Sequence, residues 1–428
     1  MDAYVGMTPP GFGGRRTVEF DRRAAGLTGL AIRGLLLSLI TFGIYRFWYM
    51  TQLRRFFWSR TLVDGSPGEY TGTGRELFLG FLVALAILVP IYIAIFAVSV
   101  LVAPLAPFAG LLSFATLFLL GKFALYRGRR YRASRTLWRG LRLGQDGSAV
   151  LYAARAAGWW LLTLLTLGLA FPFMRAALER YRLRHTLIGT TRMGSDATGR
   201  SILLPWLLLY AAALLPVIAA GLAFLAANDF AVPTDLLVPR PDGKPGGLTL
   251  NPAYQGTRVA AYGVGVLAAA GLGLCLVPLL LPYYRARETR AFMATARLGS
   301  ARLVSTLRAR QFYWPYVLYV LSLVAFVGLV GAVMWFMTRA ATAAGGSGAH
   351  WAVALGGLAF YLGGALLLAV LNVRVIQARL WGAIAATTTI DDPEALNRLS
   401  AADRGSGSGL QEGLADALDV GGALQIGF

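Results

Sequence analysis

The sequence predicts an all-α integral membrane protein whose six spanning helices form three hairpins. Three observations lead there. Of the 428 residues, 57% are hydrophobic and only 14% are charged, where a soluble domain carries about 25% charged residues. Apolar runs longer than about 18 residues recur along the chain, and such runs are membrane helices. The net charge is +20, and 38 of the 40 basic residues are arginine. These arginines sit between the apolar runs, where positive-inside loops carry them. So strong a charge also suggests nucleic acid, but its confinement to loops points to the bilayer, with anionic headgroups facing the arginines.

In chain order, residues 1–26 form an N-terminal tail with no apolar core of a signal peptide and a short strand at Thr17–Phe20. Residues 27–126 form a first membrane repeat. It opens with an apolar stretch, Leu27–Met50, interrupted by Arg33 and Arg46 and containing Thr41–Phe42–Gly43. A strand is expected within Gly68–Gly74. A spanning helix follows at Leu77–Leu101, then a break at Pro104 and Pro107, then a second helix, Leu111–Tyr126. Lys122, near the end of that helix, is placed to snorkel to the interface. Residues 127–155 are a basic segment, and 156–284 a second repeat. This repeat holds Ala156–Met174 with Thr166–Leu167–Gly168, a span at Leu203–Ala227, a polar loop and a return at Val259–Tyr283. Pro278 and Pro282 are expected to kink or end that helix. A basic segment, 285–312, leads to a third hairpin, 313–373, around a Gly-rich loop at 343–349. The acidic tail, 374–428, carries an amphipathic stretch, Leu410–Leu418, expected to dock on the basic surface. Cys275 is alone, so there is no disulfide framework.

One pattern recurs, R-[FY]-x-x-x-[RH]-T-L. It reads R-F-F-W-S-R-T-L at 55–62, R-Y-R-A-S-R-T-L at 130–137 and R-Y-R-L-R-H-T-L at 180–187. A weaker copy at 289–299 keeps Thr295 and Gly299 but loses the aligned arginine. Thr41 and Thr61 are twenty residues apart, as are Thr166 and Thr186, and the two sets are offset by 125. A parallel duplication is the simplest account. The glycines Gly65, Gly140 and Gly299 after the motifs, and Gly43 and Gly168 in the two T-x-G stretches, read as structural bends. Within each motif the aromatic and the basic residue are four apart, so Phe56 and Arg60, Tyr131 and Arg135, and Tyr181 and His185 share a helix face. The candidate ligand-binding residues are those of the motifs. They are Arg54, Arg55, Arg60 and Thr61 in the first, Arg130, Arg135 and Thr136 in the second, Arg180, His185 and Thr186 in the third, and Arg290 and Thr295 in the fourth. Two readings compete: a collar for lipid headgroups, and interfacial anchors that merely set topology.

If all motifs lie on one side, 35 of the 40 basic residues share it, and that side is the cytoplasm, with both termini. The two T-x-G stretches must then enter and leave on the same side, as re-entrant or interfacial hairpins. The alternative is eight full spans. Catalytic equipment is scarce. The two histidines, His185 and His350, fall on opposite sides, which argues against a metal site or triad. The predicted spans hold no Asp or Glu, which argues against proton coupling. Asp64, Glu69 and Glu76 are expected to pair with Arg54, Arg55 or Arg75. No cofactor is expected.

The stretch E-F-D-R-R…L-L-S-L-I-T-F-G-I-Y-R-F-W…R-R-F-F-W-S-R-T-L-V-D-G-S-P-G-E-Y-T-G-T-G-R-E-L-F-L-G-F resembles the signature of the YjgN-like family of bacterial inner-membrane proteins. The closing G-L-Q-E-G-L-A-D-A-L-D is similar too. The resemblance implies an inner-membrane location and carries over no catalytic residue, because the family has no established activity. The function expected is non-enzymatic binding or movement of a lipid or other amphipath. The alternative is a scaffold that recruits a cytoplasmic protein partner.

Overall fold

The computed structural model describes residues 16–231, 233–239, 248–344 and 347–399. Its main departure from the all-α expectation is a closed antiparallel barrel of ten short strands. These strands are only three or five residues long, so the alternation that marks a strand is cut off within one or two periods.

The chain leaves and re-enters the barrel five times. Strand β1 (Arg16–Phe20) leads into a helical hairpin, α1 (Leu27–Ile40) and α2 (Arg46–Ser59), which returns as β2 (Thr61–Val63) and β3 (Ser66–Tyr70). Helices α3 (Gly74–Leu101) and α4 (Ala109–Ser134) make the second excursion, before β4 (Thr136–Trp138) and β5 (Leu141–Gln145). The third is α5 (Ala149–Leu165) and α6 (Phe171–Arg184), before β6 (Thr186–Ile188) and β7 (Thr191–Ser195). The fourth is α7 (Arg200–Ala226), a small hairpin of β8 (Leu237–Pro239) and β9 (Leu248–Leu250), and α8 (Arg258–Ala294), before β10 (Ala296–Leu298) and β11 (Ala301–Ser305). The fifth is α9 (Ala309–Ala344) and α10 (Ser347–Leu371), which runs through a π-helical turn, Asn372–Gln377, into α11 (Ala378–Thr387) and β12 (Thr388–Ile390). Strand β12 pairs with both β11 and β1 and closes the barrel.

The register puts all five excursions at one end. Phe20 pairs with Thr61, Tyr70 with Thr136, Gln145 with Thr186, Ser195 with Ala296, and Ser305 with Thr388. All ten are buried, and eight are polar. At the other end lie two-residue turns. Asp64–Gly65 and Arg139–Gly140 have both φ positive, near 50° and 72°, as a type I′ turn requires. Gly189 and Gly299 supply the single positive φ of the other two turns, 58° and 61°, ahead of Thr190 and Ser300. The interior between the two ends is packed with apolar side chains, including Trp138, Leu143, Leu298 and Ile390. Ala395 and Leu396, from a 3-10 turn at Pro393–Arg398, pack into the same cluster. Ser300 Oγ donates to Asp392 at 2.6 Å beside this turn and holds that carboxyl below its ordinary value.

Among the described residues, six helices are long and apolar enough to cross a membrane. Several run past the ends expected from hydropathy. Helix α4 continues beyond Tyr126 to Ser134 and α8 beyond Pro278 and Pro282 to Ala294, because the basic stretches extend the helices to the barrel. Lys122 therefore lies well inside a helix, and the longer helices take in Glu76, in the first turn of α3, and Glu288, between Pro282 and the end of α8. The two T-x-G stretches are helical turns of one design. Phe42 and Gly43 have φ of 50° and 88°, Leu167 and Gly168 of 50° and 97°. In each, the threonine hydroxyl donates to the carbonyl four residues back and accepts the amide four residues on.

The chain divides into two compact units, residues 1–199 with 289–428, and residues 200–288. The first holds the barrel. In the second, a Cβ on Gly273 would lie 2.7 Å from the Ala213 carbonyl oxygen, so glycine lets α7 and α8 approach closely. The predicted amphipathic stretch Leu410–Leu418 and residues 1–14 lie outside the described residues.

Candidate functional site

The motif residues form the helix-to-barrel junction. Thr61, Thr136 and Thr186 begin strands, and each hydroxyl donates to the carbonyl four residues back, Phe57, Arg132 and Arg182, at 2.8–2.9 Å. This satisfies one of the carbonyls that a helix C-terminus leaves open. Thr388 does the same toward Ile384 at 2.7 Å, in a fifth copy that the sequence motif missed because it has neither the arginine nor the aromatic. The fourth copy shifts by one residue. Ala296 stands where the other threonines stand, and Thr295 takes the place of Arg60, Arg135 and His185. In that register Arg290 aligns with Arg55, Arg130 and Arg180, so the arginine is kept.

Several of the motif cations are engaged within the protein. Arg55 donates to the Gly72 carbonyl at 2.8 Å and Arg180 to that of Ala197 at 3.3 Å. Arg54 is buried, 3.2 Å from the Tyr70 hydroxyl. Arg60 lies over the Phe56 ring at 3.9 Å, Arg135 over Tyr131 at 5.7 Å, and His185 against Tyr181 at 4.4 Å. Acidic residues partner several cations. Asp64 pairs with Arg139, and Glu76 accepts from Arg135 and Tyr131; His185 Nδ1 sits 2.9 Å from Asp146, which also pairs with Arg192. Arg130 is half-buried and Arg290 exposed.

A second set of charges lies between α4, α5 and α6, and the sequence reading passed over it. On α4, Lys122, Tyr126 and Arg129 are spaced four and three apart. On α6, Arg175, Glu179 and Arg182 have the same spacing, which puts each set on one helix face. Tyr126, Tyr152 and Tyr181 fill the space below with ring centroids 5.0–5.9 Å apart. Arg182 donates to the Tyr152 hydroxyl at 2.6 Å and to Glu179 at 3.1 Å. Burial by itself favours the neutral form of Glu179, but the charges of Arg182, Arg129 and Arg175 outweigh it and hold its carboxyl below the ordinary value.

Lys122 is different. Its Nζ lies 5.1 Å from the Phe118 ring centroid and 5.5 Å from that of Trp160. Among the described residues no carboxylate pairs with it, and the charges acting on it are Arg182 and Arg175, both positive. A signal for this site was present in the sequence. Lys122 is one of two lysines and interrupts an apolar run, and the i, i+4, i+7 spacing recurs on a second helix.

No curated protein and no solved structure matches this chain. A family model matches residues 15–244, more than half of the sequence. With its six apolar helices, the chain is a multi-pass membrane protein and belongs to DUF898, a family of bacterial proteins of unknown function.

Proposed function

We propose that this protein is not an enzyme but binds an anionic amphipath at the cluster between α4, α5 and α6. One observation carries the reading: the Lys122 ammonium lies against two aromatic rings, in the field of two guanidinium groups, with no carboxylate of the described residues paired to it. A partly desolvated charge without a counter-ion is costly, and a phosphate or carboxylate headgroup supplies one. The apolar faces of Phe118, Trp160 and Phe171, which pack on one another, suit the adjoining chain. The arginine bias supports a cytoplasmic barrel and cytoplasmic termini, and the YjgN-like motifs support the inner membrane of a bacterium. Native mass spectrometry of protein purified in mild detergent tests the reading. Lipid retained by the wild type and lost from Lys122→Ala is the expected result. A co-purifying protein with no retained lipid points instead to the scaffold role.

A further inference from the structure

The fourth helix-to-barrel junction keeps its arginine but not the bond that its counterparts make. In the first and third junctions, Arg55 and Arg180 donate to the carbonyl two residues past a strand end, Gly72 after Tyr70 and Ala197 after Ser195. In the fourth, Leu307 stands two residues past Ser305. There the Arg290 guanidinium is exposed and, among the described residues, makes no hydrogen bond or ion pair. The guanidinium groups of Arg308 and Arg310, where β11 passes into α9, are in the same state. Strands β10 and β11 pair with each other, so residues 289–294 at the foot of α8 and the first turn of α9 stand at the same end of adjacent strands, within one compact unit. The carboxylate that follows the neighbouring strand β7, Asp196, is already held by Arg297 and Arg184. Arg310 also opens an outward stripe on α9. Trp314, Val317 and Leu321 follow it at helical spacing on one face, with 60%, 41% and 60% exposure, and α9 is one of the six apolar helices long enough to span.

We infer that Arg290, Arg308 and Arg310 bind the phosphodiester head of an anionic phospholipid from the leaflet next to the barrel, with an acyl chain lying along Trp314, Val317 and Leu321. This site is separate from the cluster between α4, α5 and α6 and does not depend on it. A guanidinium meets a phosphate through two parallel hydrogen bonds, and basic side chains at the membrane surface attract anionic heads. The indole of Trp314, one turn farther along α9, suits the boundary between heads and chains. The repeated arginine thus has two uses. Arg55 and Arg180 tie down loops of the barrel, whereas Arg290 is turned outward to the leaflet.

An open site exchanges its lipid with detergent, so the test adds lipid back. The full chain carrying Lys122→Ala is titrated in detergent with dioleoyl phosphatidylglycerol or dioleoyl phosphatidylcholine, and bound lipid is read by native mass spectrometry. We expect phosphatidylglycerol to be preferred by about tenfold or more. Replacing all three arginines, Arg290→Gln with Arg308→Gln and Arg310→Gln, should remove the preference and leave the melting temperature unchanged, because these groups are exposed. Arg55→Gln and Arg180→Gln should do the reverse, lowering the melting temperature and keeping the preference. Glycerol 3-phosphate at the same concentration should not displace the lipid. Equal binding of the two lipids, or a preference that survives the triple substitution, overturns the inference and leaves the cluster between α4, α5 and α6 untouched. Loss of the preference in Arg55→Gln and Arg180→Gln as well overturns the distinction between junctions. Displacement by glycerol 3-phosphate makes the ligand a soluble phosphate. Tighter lipid binding after Glu412→Gln, Asp416→Asn and Asp419→Asn together makes the acidic tail the native occupant instead.

Discussion

Thr61, Thr136, Thr186 and Thr388 each close a helix and open a strand with one hydroxyl. Thr136→Val keeps the shape and loses the hydrogen bond, leaving a buried carbonyl without that partner. The expected cost is about 1–2 kcal/mol of stability, and Thr136→Ser should recover most of it; melting in detergent measures both. Glu179 makes a second residue-level prediction. Its carboxyl is held below the ordinary value by three arginines. Its stabilising effect is therefore present above the ordinary carboxylate pKa, and is lost as pH falls through the lower, folded value. The wild-type melting temperature should drop on acidification below about pH 4, and Glu179→Gln should flatten that part of the profile while being less stable near neutrality. A wild-type profile no steeper than the variant's would show that Glu179 is not the anion of this cluster. At this scale the sequence pattern was visible and its meaning was not. The recurring R-[FY]-x-x-x-[RH]-T-L marks a junction, and several of its cations, Arg55, Arg60, Arg135 and Arg180, are engaged by backbone carbonyls and rings. Lys122, over two rings but with no carboxylate of the described residues paired to it, lies off the motif.

Among the elements, the two T-x-G hairpins show how far local chemistry can be read. A threonine that caps both flanking helices, an apolar residue at positive φ and a glycine at positive φ account for both turns. Each hairpin starts and ends on the barrel, since Phe20 pairs with Thr61 before and after the first and Gln145 with Thr186 around the second. The tips are apolar and open, Phe42 at 98% exposure and Leu167 at 78%, which suits insertion partway into a bilayer. Gly43→Ala meets no neighbouring atom, but it and Gly168→Ala force a side chain into the left-handed region, at about 1–2 kcal/mol each. Gly34→Ala should be worse, because its Cβ would lie 2.0 Å from the Tyr49 ring. Thermal melting that ranks Gly34→Ala no lower than the other two would contradict this packing. The barrel, by contrast, was largely hidden. A three-residue strand such as Thr136–Trp138 has no periodicity to detect, and one of its partners lies far off in sequence, since Trp138 pairs with Gly68 across an entire helical hairpin.

For the whole molecule, the barrel favours re-entrant hairpins over full crossings more than hydropathy does. Nineteen apolar residues at Ala156–Met174 are enough to span a bilayer, so length alone left eight crossings open. Both ends of that stretch, however, return to adjacent strands of one barrel, β5 and β6, and the same holds for Leu27–Met50 between β1 and β2. A full single crossing would require the barrel to be present on both sides. The hairpins α3–α4 and α9–α10 also begin and end at strands of this barrel, and the cytoplasmic barrel proposed above implies that their distal ends face the opposite side. In a Cys275→Ser background, cysteine introduced at Thr190 or Ser300, in the turns of the barrel, should be shielded from an impermeant thiol reagent added outside intact bacterial cells. Cysteine at Gly110, just beyond the turn joining α3 to α4, or at Thr342, at the end of α9, should react. A cysteine at Leu167 should react with neither an external nor an internal impermeant reagent while the bilayer is intact, and should become reactive in detergent. External labelling of Leu167→Cys would mean that the hairpin crosses completely, and external labelling of Thr190→Cys would place the barrel, with its arginines, on the far side.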